Sequence, residues 1–229
     1  MKKNFVLTLF AVLLAAQSIF ISCQSTGKKQ PAEEFSVHWE SPRLQIGEIE
    51  FQVDSLMGKL KKLSVPVFYF PQEDAVVLRY RPEFTTYQQC WSGRGRLTYK
   101  EALQKYNEDY DARVLDTRNK KSRRQYGIVR GYLIWQQFQY LVRARGNMDV
   151  ELGYMFKDKA PYFVIIQLSA EYIDAISREN NRDSSVITMY FTRTQAAELA
   201  ALFDREFLDG LKMPSGKDLD YNTGIDDDY

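Results

Sequence analysis

Histidine and cysteine are nearly missing from this chain of 229 residues. It holds one histidine, His38, and two cysteines, Cys23 and Cys90. A zinc site of the usual kind needs three or four such ligands, so that chemistry is excluded. A Ser-His-Asp triad or a Cys-His nucleophilic pair would have to use His38 as its base. Nothing in the spacing couples His38 to Cys90, and His38 closely follows a polar stretch. No Gly-x-Gly-x-x-Gly run and no phosphate-loop pattern ending in Lys-Ser/Thr occurs, so no nucleotide fingerprint is present and no cofactor is expected. An excess of one charge is missing too. Thirty-one basic residues stand against 30 acidic ones, net +1. A nucleic-acid binder shows a clear basic surplus, so nucleic acid is not an expected partner. No internal repeat is visible.

What is present is concentrated first at the N-terminus. Lys2 and Lys3 open the chain, Asn4 to Ser22 carry no charge, and Phe5 to Leu14 are almost wholly apolar. This is the charged start and apolar body of a secretory signal. The run ends Phe20-Ile21-Ser22-Cys23, which resembles the lipobox of bacterial lipoproteins. Phe20 and Ile21 replace the usual Leu and small residue, as in the loosened boxes of spirochaete lipoproteins. The resemblance covers about the first tenth of the chain. It implies cleavage before Cys23, acylation of Cys23 and a protein held at a membrane. Gln24 follows the cysteine where Asp is absent, which in diderm lipoproteins is compatible with the outer membrane. Two other readings stay open: an uncleaved membrane-spanning helix, and a soluble product cut after Ser18 at Ala16-Gln17-Ser18. Cleavage before Cys23 removes Lys2 and Lys3 and no acid, taking the net charge from +1 to −1. It also leaves Cys90 without a disulfide partner.

The rest divides into a polar tether at 23–34, a domain at 35–213 and an acidic tail at 214–229. Alternation predicts strands at Leu44 to Val53 and Ala75 to Arg81, and between them Val65 to Phe70 is a short, almost wholly apolar run that Pro66 pushes toward an edge or an end. Ile128 to Val142 is rich in β-branched and aromatic residues, and Gly146-Asn147 supplies turn chemistry. Val150 to Phe156, Tyr162 to Leu168 and Val186 to Phe191 complete a set joined by short connections, an antiparallel meander. Two helices are expected. One opens at a capping box, Thr98 to Glu101, with Leu103, Tyr106, Tyr110 and Val114 on one face. The other runs from about Arg193 to Leu211, behind the capping box Thr192 to Gln195. The expected fold is therefore α+β: a single domain with a mainly antiparallel sheet of about five to seven strands packed by two amphipathic helices.

Three stretches invite a binding role. Trp91-Ser92-Gly93-Arg94-Gly95-Arg96 precedes the first helix. Glycines there let backbone amides approach an anion, and Arg94 and Arg96 supply charge. Its plainer reading is a turn. The second stretch, Arg118 to Arg124, gathers Lys120, Lys121, Arg123 and Arg124. On a tethered protein these could touch anionic lipid, and the plainer reading is a solvated loop. The third, Asp218 to Asp226, imitates a calcium loop, but its glycine falls one place late and Tyr229 occupies the position of the bidentate Glu. It reads as an acidic tail, and no metal is expected.

These features point to an envelope lipoprotein whose domain is a non-catalytic module for a small ligand or an envelope protein. The alternative is a hydrolase of envelope polymers using two Asp/Glu carboxylates roughly 5–10 Å apart in a cleft. A cavity behind the sheet favours a small molecule or lipid, and a flat aromatic patch favours a protein partner.

Overall fold

The computed structural model describes residues 35–38, 41–55, 58–116, 124–137, 143–170 and 183–211. The chain separates into two compact units, Met1–Glu34 and Phe35–Tyr229, and every described residue lies in the second. Eight strands follow one another around a closed antiparallel barrel. They are β1 (Leu44–Asp54), β2 (Leu60–Phe70), β3 (Ala75–Tyr80), β4 (Thr85–Trp91), β5 (Arg124–Gln137), β6 (Ala144–Lys157), β7 (Ala160–Gln167) and β8 (Ile187–Phe191). Helix α1 (Gly93–Asp111) joins β4 to β5. Helices α2 (Arg193–Leu202) and α3 (Arg205–Asp209) follow β8. The expected α+β sheet is thus corrected to a barrel, because β1 closes the ring on β8 through Gln52↔Tyr190 and Val53↔Met189.

Alternation explains which side chains fill it. Ile49, Phe51 and Val53 of β1 point inward and are buried, while Glu48, Glu50 and Gln52 between them point out. The same period continues through Val65 and Val67, Val76 and Leu78, and Leu133 and Trp135. It ends with Val150 and Leu152, Phe163 and Ile165, and Met189 and Phe191. Glu50 pairs with Lys62, and Arg130 with Asp149, on the outer wall. The outer face also carries apolar clusters, on β2 to β5 and on β7 and β8.

The helices close one end rather than covering the face of an open sheet. Tyr99 of α1 meets the rings of Trp91, Phe163 and Phe203, and its hydroxyl donates to the Ala196 carbonyl at 2.9 Å. α1 is seated close to the barrel: a Cβ on Gly95 would lie 2.9 Å from Val129 Cγ1.

Several local expectations change. Thr85–Trp91 is a strand that alternation did not reveal, since Gln88 and Gln89 are buried beside Tyr87, Cys90 and Trp91. Gly146 and Asn147 lie within β6, paired with Leu133 and Tyr132, so the β5–β6 connection comes earlier. α1 opens at Gly93, where the Ser92 hydroxyl accepts from the Gly95 amide. Thr98 is already inside it and donates to the Arg94 carbonyl at 3.1 Å. The Thr192/Gln195 capping box is present. The single last helix is two, because Asp204 caps a new start, accepting from the Glu206 and Phe207 amides. That break buries Leu208 and leaves Phe207 exposed.

Candidate functional site: the open mouth of the barrel

At the end away from the helices, β1, the β3–β4 turn and the start of β8 enclose a half-open hollow of about 300 Å³. Its floor is made by inward side chains: Val53, Tyr87 and Ile187. Thr85, two residues before Tyr87 on the same inward face, stands above them. Phe84 and Val186 form the rim. They are 70% and 59% exposed, large apolar groups beside this half-open hollow.

Below the hollow the interior is a continuous aromatic stack. Tyr80 lies parallel to Tyr87 at 5.5 Å and edge-on to Phe51, which meets Phe191. Polar groups in this stack are satisfied locally. The Tyr80 hydroxyl donates to Gln167 Oε1, and Gln167 Nε2 donates to the Ser185 carbonyl at 3.3 Å. Burial holds the Tyr80 phenol well above its ordinary range, reinforced by Tyr87 and Cys90, so it is a neutral donor at physiological pH. Deeper still, Gln89 accepts from Trp91 Nε1 at 3.1 Å, while its Nε2 finds no partner among the described residues.

The carboxylates that line the mouth are Asp54 and Glu83. Both oxygens of Asp54 are engaged: Lys157 Nζ lies 2.7 Å from Oδ1, and the Tyr190 hydroxyl donates to Oδ2 at 2.9 Å. The β3–β4 turn is braced through its backbone. Lys61 Nζ donates to the Pro82 carbonyl at 2.7 Å, and Arg81 Nε to the Glu83 carbonyl at 3.3 Å. A wider and shallower hollow of about 520 Å³ lies beside Tyr110, Arg113 and Pro161, at the far end of α1.

The residues singled out from sequence lie elsewhere. Arg96 is 3% exposed. Its guanidinium pairs with Asp74 Oδ1 at 2.7 Å and donates to the carbonyls of Asp74 and Trp91. Arg94 sits on the exposed side of the first turn of α1, so the two arginines do not converge. Cys23, Lys120, Lys121 and Arg123, together with the acidic tail, lie outside the described residues, as does the side chain of Arg124. Cys90 is buried on the outer wall beneath Phe35 and Val37. Burial, and then the charge of Glu73, push its thiol far up, which removes the thiolate a nucleophile needs. His38 is exposed. Among the described residues no group of three or more His, Cys, Asp or Glu side chains could hold a metal.

Sequence reasoning missed the mouth. The available signal was Phe84, a large apolar residue beside Pro82 and Glu83 just after the strand-like run Ala75 to Arg81, where turn chemistry alone predicts a polar tip.

Residues 41–210 match the family described as uncharacterised Treponema protein. The chain belongs to that family. Membership sets it among spirochaete proteins, in line with the spirochaete-like N-terminus. No curated protein and no solved structure matches it.

Proposed function

We propose that this protein is a lipid-anchored component of the cell envelope, in the outer membrane, whose barrel is a non-catalytic binding module for a small ligand. Cys23 would carry the acyl groups and residues 23–34 the tether. The observation that carries the binding reading is the mouth: a hollow at the lower end of the size range of small-molecule sites, apolar at its floor and ringed by Phe84 and Val186. An eight-stranded barrel is just wide enough either to pack its interior or to hold one small ligand. Here the helix end is packed, and the described residues of the other end leave a half-open hollow. Family membership among spirochaete proteins supports the lipobox reading of Phe20 to Cys23. Against the carboxylate hydrolase stands the state of Asp54, whose oxygens are both taken by Lys157 and Tyr190.

The test uses N-phenyl-1-naphthylamine, a neutral probe that fluoresces in apolar surroundings. It should bind the Cys23→Ser protein saturably at one site. Thr85→Trp, which drives an indole into the mouth from a half-buried position, should abolish the signal without changing circular dichroism. Absence of saturable binding, or equal binding by the Trp variant, overturns the reading. A mass spectrum of the mature N-terminus tests the anchor separately: an acylated Cys23 supports it, and a chain beginning at Ile19 refutes it.

A further inference from the structure

We infer that the mouth end of the barrel is a membrane-contact surface, seated on anionic phospholipid. The inference goes beyond the acyl anchor and the bound ligand, because it concerns the barrel's own strand ends and turns. The topology puts four connections at this end: β1–β2, β3–β4, β5–β6 and β7–β8. Phe84 ends one of them and Val186 another, both exposed, and both edge the same hollow. Single exposed apolar residues are ordinary. What distinguishes these two is the charge around them. In the described part of the four connections, with the two strand residues flanking each, the cations are Lys59, Lys61, Arg79, Arg81, Arg143 and Arg145. The acids there are Asp54, Glu83 and Asp183. Cations outnumber acids, and Lys157 reaches in to balance Asp54 as well.

The β3–β4 turn shows the arrangement in detail. Lys61 Nζ and Arg81 Nε donate to the Pro82 and Glu83 carbonyls and stay charged while doing so. The turn therefore presents the Phe84 ring to solvent and holds two cations beside its backbone. An element that lies in a membrane interface is layered in this way: apolar groups enter the acyl boundary, and Lys and Arg heads stay level with the phosphates. The sequence of two other connections at this end has the same character, Leu56-Met57 before Lys59 and Leu141-Val142 before Arg143, although those apolar residues lie outside the described ones. The described helix end has no comparable surplus. Glu73 and Asp74 at the β2–β3 turn and Asp204, Glu206 and Asp209 around α3 outnumber Arg96 and Arg205 beside them. The rival contact is the basic stretch Arg118 to Arg124, which leads into β5 at the helix end and would turn that end to the bilayer instead.

The test uses the mature polypeptide, residues 23–229 with Cys23→Ser, which carries neither the apolar N-terminal run nor an acyl chain. It should float with vesicles of phosphatidylcholine containing about 30% phosphatidylglycerol at about 20 mM salt, and on the order of tenfold less with phosphatidylcholine alone. Phe84→Asp, at an exposed position, should keep the circular dichroism of the parent and lower vesicle binding on the order of tenfold. Phe84→Trp should add fluorescence, over that of the parent's own tryptophans, that dibrominated phosphatidylcholine quenches. Phe207→Trp, on α3 at the helix end, should add fluorescence that it does not quench. Absence of flotation, equal flotation without phosphatidylglycerol, or full binding by Phe84→Asp overturns the inference. So does quenching at position 207 in place of 84, the result the basic stretch predicts. Binding of N-phenyl-1-naphthylamine is read in the same protein without vesicles, so loss of membrane contact and loss of the ligand site are separate results.

Discussion

Asp74 shows how much one side chain can hold together. It sits in the β2–β3 turn with φ 47°, in the left-handed region. It pairs with Arg96 of α1 at 2.7 Å and with Arg205 of α3 at 3.0 Å, and accepts weakly from the Tyr69 hydroxyl at 3.3 Å. Arg96 is the buried partner, so removing Asp74 strands a guanidinium in the protein interior. A fully buried pair loses 3–5 kcal/mol when broken this way. Asp74 is itself partly open to solvent, so Asp74→Ala should cost about 2 kcal/mol in urea unfolding. Arg205→Ala, on an exposed side chain, should leave the midpoint nearly unchanged; equal losses for the two variants would contradict the assignment of Arg96 as the buried centre. The tyrosines give a second prediction. Burial raises the pKa of Tyr80, Tyr99 and Tyr106 in the folded protein. Their contribution to stability is therefore complete below the ordinary tyrosine value near 10. It falls as pH rises above that, because the unfolded chain releases protons that the folded chain retains. Absorbance at 295 nm should show a fraction of the 15 tyrosines ionising only as the barrel unfolds. Titration of all of them in one phase near pH 10, with the fold intact, would refute it. None of this pairing was legible in sequence. Arg94 and Arg96 look alike beside two glycines, and only the arrival of Asp74 across the barrel end separates a buried ion pair from an exposed side chain.

Among the elements, α1 is positioned by its glycines. Gly95 lets the first turn lie against Val129, with a hypothetical Cβ only 2.9 Å from Val129 Cγ1. Gly95→Ala should therefore destabilise. The overpacking costs about 1–3 kcal/mol and exceeds the gain of up to ~1 kcal/mol that Ala brings to a helix. A rise in the thermal midpoint would show that α1 has room to move off β5. Element type was largely readable from periodicity, and the strand faces especially so, because a period of two is a local property. Element ends were less readable. A helix beginning at Ser92 and one beginning at Thr98 both satisfy local capping chemistry, and the choice goes to the start that lets Arg96 reach Asp74 and Tyr99 reach the core. The last helix breaks at Asp204 for a similar reason. Leu199, Phe203 and Leu208 all become buried, which continuous helical spacing through Phe207 does not provide.

At the scale of the whole molecule, the wall formed by β2 to β5 is apolar on its outside as well. Phe70, Ala75, Val77, Cys90, Tyr132 and Ile134 cluster there, and Phe35 and Val37 lie over them. The chain therefore meets the barrel on this wall at Phe35 and Val37, and Ser41 then bonds Glu73 at the β2–β3 turn. Cys90 reports on this covering segment. In a Cys23→Ser background it should resist thiol reagents until global unfolding, as a buried thiol of raised pKa does. Val37→Asp should open it to labelling while circular dichroism stays that of the barrel. Protection that persists in Val37→Asp would mean that the wall shields Cys90 without the segment.

The scarcity of histidine and cysteine, the alternation of each strand, the Thr192 cap and the spirochaete-like N-terminal pattern belong to the sequence by itself, because each depends on residue identity or on neighbours a few positions apart. Closure belongs to the tertiary structure. Gln52 meets Tyr190 and Val53 meets Met189 only after the chain has travelled through every other strand, and no local pattern encodes a contact of that length. The mouth is of the same kind. Val53, Phe84, Tyr87 and Ile187 share no motif and come from separate elements. They become one site because their elements meet at one rim of the staggered ring, while the helices fill its other end.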